Sequence, residues 1–172
     1  MFELRFPEAD IPTWADRYDY TAPGGLEDVP REAARFMRTH GHLDKAMFVR
    51  LCRWKSPRPT RHYERNDDAF VREVSGIALT TPSERLRVEI LTLLHGVSWP
   101  VASVLLHFGH EEAYPILDVR AFWSLGFEEP PRYDFEVWWA YVQFCRSMSS
   151  THGLSIRELD KALWKYSKAN QE

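Results

Sequence analysis

Cysteine is scarce in this chain, with only Cys52 and Cys145 among 172 residues. Two thiols are too few for a disulfide framework or a cysteine-ligated cluster, so a reducing compartment is the simpler reading. Long apolar runs are missing too. His, Pro or Gly interrupts each one well short of a bilayer's width, so no membrane partner is expected. The first residues, MFELRFPEAD, have neither a basic n-region nor an apolar h-region. No signal peptide is therefore expected, and the predicted location is cytoplasmic. No period-two strand pattern, Asn-Gly hairpin turn, internal repeat or low-complexity run occurs, and no linker is long enough to divide the chain. Residues 1–172 are accordingly expected to form one domain. No P-loop, dinucleotide fingerprint or Ser-His-Asp arrangement is visible.

Apolar and aromatic residues are plentiful. Hydrophobic residues make up 44% and aromatics 14%, which suits a sizeable core and excludes a disordered chain. Apolar positions recur at three-to-four spacing almost everywhere, which predicts an all-α fold. The expected architecture is an orthogonal bundle of eight or nine short helices. The first covers Ile11–Tyr18, and the loop TAPGGLEDVP follows. A second runs from Pro30 to His40 and stops at Gly41. A third places Leu43, Met47, Leu51 and Trp54 on one face and must end at Ser56-Pro57-Arg58-Pro59. The next, near Asp67–Leu79, is expected to bury Phe70, Val74 and Ile77. Thr81-Pro82-Ser83-Glu84 reads as a capping box opening a helix with Leu86, Ile90, Leu93 and Leu94. Asp118 caps Val119–Leu125, Asp134 caps an aromatic helix with Val137, Trp138, Tyr141, Cys145 and Met148, and Ser155-Ile156-Arg157-Glu158 is a second capping box.

Net charge is −3, a mild argument against a nucleic-acid partner. Its distribution argues the other way. Residues 50–65 carry Arg50, Arg53, Lys55, Arg58, Arg61 and Arg65 against Glu64, so this stretch is +5 and the remainder −8. A local basic patch can hold phosphates while the rest of the surface stays acidic. Lys55, Ser56, Arg58 and Arg61 are the candidate DNA contacts in this loop. The plain alternative is a solvated basic surface. Trp54, at its start, reads as core.

Residues 90–126 read ILTLLHGVSWPVASVLLHFGHEEAYPILDVRAFWSLG. Two helices flank the short turn His95-Gly96-Val97-Ser98. Gly96 supplies the positive φ the turn needs, and Val97 can drop its side chain between the helices. The second helix starts with free N–H groups at Ser98, Trp99 and Val101, a natural cradle for phosphate. Ala102 and Ser103 are small enough for close helix approach. The segment resembles the helix-hairpin-helix DNA glycosylases, the superfamily of endonuclease III and the adenine glycosylase. The matching residues are Leu94-His95-Gly96-Val97-Ser98, Trp99-Pro100 and Val101-Ala102. The apolar Val104-Leu105-Leu106 follows, and Pro115-Ile116-Leu117-Asp118 closes the pattern at the family's spacing.

That resemblance implies a protein acting on double-stranded DNA, intact or damaged, through Gly96, Val97, Ser98 and Trp99. Asp118 would be its catalytic carboxylate. A carboxylate there stabilises the sugar cation that grows as a glycosidic bond breaks, or orients the attacking water. The target base would be flipped into a pocket; Trp99, Tyr114, Trp123 and Tyr133 are candidates for its walls. Pro100 stands where bifunctional members place a Schiff-base lysine, so lyase chemistry is not expected. Ser98 replaces the second hairpin glycine. Two cysteines cannot supply the four ligands of the iron–sulfur branch, so no cofactor is expected. Nor is a metal: His107 and His110 flank a helix end with no clear third ligand.

Two other functions stay open at this point. One is a non-catalytic DNA-binding module that keeps the hairpin and the basic loop. The other is a protein-interaction domain, favoured if the basic segment proves buried or paired. Asp118 is in any case a good N-cap, and Arg120 can reach phosphate or pair with Asp118 or Glu112.

Overall fold

The structure, a computed structural model, describes residues 2–20, 27–110 and 113–171. Their fold is all-α, with no strand among the described residues. In chain order the helices are α1 (Ile11–Asp16), α2 (Asp28–His40), α3 (Lys45–Lys55), α4 (Thr60–Tyr63), α5 (Asp68–Thr80), α6 (Glu84–Glu89), α7 (Trp99–Gly109), α8 (Val119–Ser124), α9 (Phe135–His152) and α10 (Ile156–Asn170). Short 3-10 segments cover Glu8–Asp10 and Ile90–Leu93. No helix is long and apolar enough to cross a membrane. Most of the loop expected at TAPGGLEDVP lies outside the described residues. The chain divides into two compact units: Thr21–Glu112, and Met1–Tyr20 with Ala113–Glu172.

In the first unit, local chemistry sets the helix ends. Asp44 accepts from Met47 N–H and opens α3. The pair Pro57 and Pro59 follows its end at Lys55, since a residue before proline avoids the helical region. Asp67 caps α5 through Ala69 and Phe70 N–H. Two expectations are corrected. The cap of α6 is Ser83, which accepts from Leu86 N–H, and not Thr81. Thr81 instead terminates α5 and accepts from Ser83 N–H. The buried face of α5 is Val71, Val74, Ser75 and Ala78, leaving Phe70 40% and Ile77 37% exposed. Ser75 is satisfied on this inner face. Its hydroxyl donates to the Val71 carbonyl and accepts from Leu43 N–H. Likewise Leu86 and Leu93 are exposed, and Val88, Leu91 and Leu94 fill the core. Trp54 is buried edge-on to Phe108, as a core residue. Arg87, also buried, donates to the Ala78 and Thr81 carbonyls and so satisfies the end of α5.

The second unit is built on rings. Trp138 on α9 is fully buried and stacks on Tyr114 at 5.7 Å, with the ring planes 12° apart. Phe122 on α8 meets Tyr141 at 5.1 Å. Rings this large dominate a core, and each such pair adds about 0.5–1.5 kcal/mol beyond the area it buries. The N-terminal segment is tied to the end of α8: Glu3 N–H donates to the Leu125 carbonyl and Arg5 N–H to that of Ser124. Asp134 caps α9, and Ser155 with Glu158 forms the complete capping box of α10. The apolar stripe of α10, Ile156, Leu159 and Leu163, is buried.

Candidate functional site

In the unit Thr21–Glu112, the turn between Leu94 and Ser98 and the basic segment form one surface. The link is Asn66, which is 2% exposed. Its side-chain nitrogen donates to the His95 carbonyl at 3.1 Å and to that of Tyr63 at 2.9 Å. Its oxygen accepts from His95 N–H at 2.8 Å. A second link runs through Tyr63, whose hydroxyl donates to the Ser56 carbonyl at 3.2 Å. Burial above all, with a contribution from the nearby Cys52, pushes this phenol up to about 12, although the side chain of Ser56 opposes the shift. The Tyr63 ring fits against Gly96, which takes φ +84. A Cβ there would stand 2.8 Å from the ring, so both backbone conformation and space call for glycine.

The predicted contact residues are arranged around this core. Val97 is buried, Trp99 is half-buried and Ser98 is exposed. Ser98 occupies the N-cap position of α7 without a side-chain capping bond, and Pro100 lies in the first turn. Arg53, Arg58, Arg61 and Arg65 are exposed and form no ion pair among the described residues. Lys55 and Ser56 are half-buried. Arg50 is set apart from the group, because Glu32 takes it in a two-pronged pair at 2.6 and 2.8 Å.

Asp118 belongs to the other unit. It caps α8, with Oδ1 accepting from Arg120 N–H at 2.9 Å. The side chains of two buried residues hold the segment that delivers it. Asp160 accepts from Ile116 N–H, and Tyr141 hydroxyl donates to the Ile116 carbonyl at 3.4 Å. The half-buried carboxylate sits among phenols. Tyr133 is pushed up to about 12, mainly by burial and further by the charge of Asp118. Tyr20 is raised for the same two reasons. The Tyr133 hydroxyl oxygen is buried without a hydrogen-bond partner among the described residues. A held carboxylate beside such a phenol can stabilise a developing cation while the phenol supplies a donor.

Of the proposed wall residues, Tyr133 lies near Asp118, whereas Tyr114 is core against Trp138. Trp123 carries the Arg5 guanidinium at 4.5 Å. Arg120 places its guanidinium over Trp164 at 5.8 Å; Glu112, one acid suggested as its partner, lies outside the described residues. Asn66, Tyr63 and Tyr20 escaped sequence reasoning. A lone polar residue in a charged turn has no periodicity to mark it.

No family model matches the chain, and no curated protein or solved structure matches it. Residues and geometry therefore carry the functional argument.

Proposed function

We propose that the protein binds double-stranded DNA through the surface formed by residues 53–65 and the turn 94–98. We further propose that it acts as a monofunctional, glycosylase-like hydrolase with Asp118 as its carboxylate. The observation that carries the binding reading is the Asn66 clamp, which fixes the segment bearing the exposed Arg58, Arg61 and Arg65 against a helix start. Arginines on a fixed loop engage phosphates without first losing loop entropy. Guanidinium groups suit phosphate geometry, and such contacts place a duplex without reading its sequence. The first N–H groups of α7 have no partner within the helix and favour an anion. Exposure of these arginines argues against the interaction-domain alternative.

At Asp118 the chemistry would be hydrolysis. The carboxylate stabilises positive charge on the sugar as the base departs, and water adds to the anomeric carbon. With Pro100 in the hairpin, no amine stands there to form an imine. One observation favours a non-catalytic module instead: Asp118 already serves α8 as its cap.

Duplex binding across a salt series tests the first claim. Each lost phosphate contact should flatten the dependence of log K on log salt by about 0.9, so Arg58→Ala with Arg61→Ala should lower the slope by nearly two. Release of damaged bases by wild type and not by Asp118→Asn supports hydrolysis. Binding without release from any lesion leaves the non-catalytic module.

A further inference from the structure

The unit containing Asp118 carries a surface that the duplex reading does not use. On α10, Arg157, Lys161, Lys165 and Lys168 follow at intervals of four, four and three, which places them on one side of the helix. Trp164 stands among them, and the segment 18–20 packs against it. Tyr18 meets the Trp164 ring edge-on at 5.2 Å, and Tyr20 does so at 5.5 Å. Cations lie on these rings: Lys168 over Trp164 at 5.0 Å, and Arg157 over Tyr18 at 5.2 Å. Lys161 approaches Tyr18 at 5.7 Å. Arg120 completes the group over Trp164. Asp19 is the acid at its centre, holding Lys165 and Lys168 at 3.0 and 3.1 Å. Five cations stand against Asp19, the neighbouring Asp118 and Glu158, which acts on Lys161, so positive side chains are in excess here.

We infer that this surface binds a single strand of nucleic acid, with Trp164 and Tyr18 stacking on bases and the α10 cations holding phosphates. The partner follows from the chemistry. Rings interleaved with cations match a polymer that alternates flat bases with anions, and every base has a face to stack. A bilayer surface needs an apolar face to insert, and the apolar stripe of α10 is already buried. An acidic peptide would satisfy the cations and leave the rings unused. From Arg157 to Lys168 the helix rises about 16 Å, a length that accommodates a few nucleotides. The surface shares no side chain with the residues 53–65 and 94–98, so it is tested apart from those duplex contacts, although Arg120 and the neighbouring Asp118 adjoin the proposed hydrolytic site.

The test is anisotropy of a fluorescein-labelled oligothymidylate titrated with the full chain, over a salt series, with polyglutamate as competitor. Trp164→Ala should weaken binding about tenfold or more and leave the salt slope nearly unchanged. Lys161→Gln with Lys168→Gln should weaken binding and flatten the slope by about 1.4. Arg58→Ala with Arg61→Ala should weaken oligothymidylate binding less than the α10 lysine pair does. If Trp164→Ala fails to fold by circular dichroism, Trp164→Leu replaces it. The proposal is overturned by no binding at low salt, by a Trp164 variant that binds like wild type, or by polyglutamate competing as well as unlabelled oligothymidylate. Loss of binding in the Arg58/Arg61 variant alone would also overturn it, by moving single strands to the other surface.

Discussion

In the unit Thr21–Glu112, cations stand exposed on a clamped loop; in the unit formed by Met1–Tyr20 and Ala113–Glu172, they lie on aromatic rings. The first unit has 13 Lys and Arg against 12 Asp and Glu, and 7 of the 24 Phe, Trp and Tyr. The second has 9 against 13, and the other 17 aromatics. Net charge alone would assign nucleic-acid contact to neither. What separates them is how the charge is held. An exposed arginine outside an ion pair offers its charge to a phosphate, whereas a lysine over an indole offers charge and stacking face together.

The largest expected effect falls on the ring-built unit. Trp138→Ala removes a fully buried ring and its Tyr114 stack. It should cost about 3–5 kcal/mol, read by denaturant unfolding, with faster amide exchange in α9 and α10. Gly96→Ala comes next, because it adds a Cβ at φ +84 and at 2.8 Å from Tyr63. The strain should cost about 1–3 kcal/mol and weaken duplex binding. Equal loss of oligothymidylate binding would erase the contrast between the units. Asn66→Ala leaves the N–H and carbonyl of His95 without their partner. A loss of about 1–3 kcal/mol is expected, with exchange rising in residues 56–66.

Smaller effects sharpen the contrast. Asp118→Asn keeps a capping side chain, so stability should change by only about 0.5 kcal/mol, while any base release by wild type should be lost if the proposed hydrolysis is right. The smallest concerns acid. Lys45 N–H, then the Arg72 guanidinium, holds the Asp68 carboxyl below its ordinary 3.8. Its contribution to stability is thus present above that value and fades as pH falls through the lower, folded-state value. Asp68→Asn should flatten this part of the acid-unfolding curve.

Several helix starts were legible because caps are local: Asp118, Asp134 and Ser155 each bond a residue two or three positions on, whereas Asp44, the cap of α3, was not singled out. The face of α5 was not. Ser75 is polar yet turns inward, since its partner is Leu43, 32 residues earlier. The same distance problem hid the clamp, where Asn66 and His95 are 29 positions apart. The basic loop was readable as composition, but the pairing of Arg50 with Glu32 was not. On α10 the cation spacing was readable. Its meaning depended on Tyr18, which reaches Arg157 across 139 positions.

The proposed duplex contact rests on the clamped segment and the turn 94–98. Measuring duplex affinity from low to physiological salt, for wild type and for Arg58→Ala with Arg61→Ala, tests it most directly. Salt-dependent binding is expected in wild type and, in the variant, weaker binding with a slope lower by nearly two. Absent binding at low salt, or a variant indistinguishable from wild type, would contradict it.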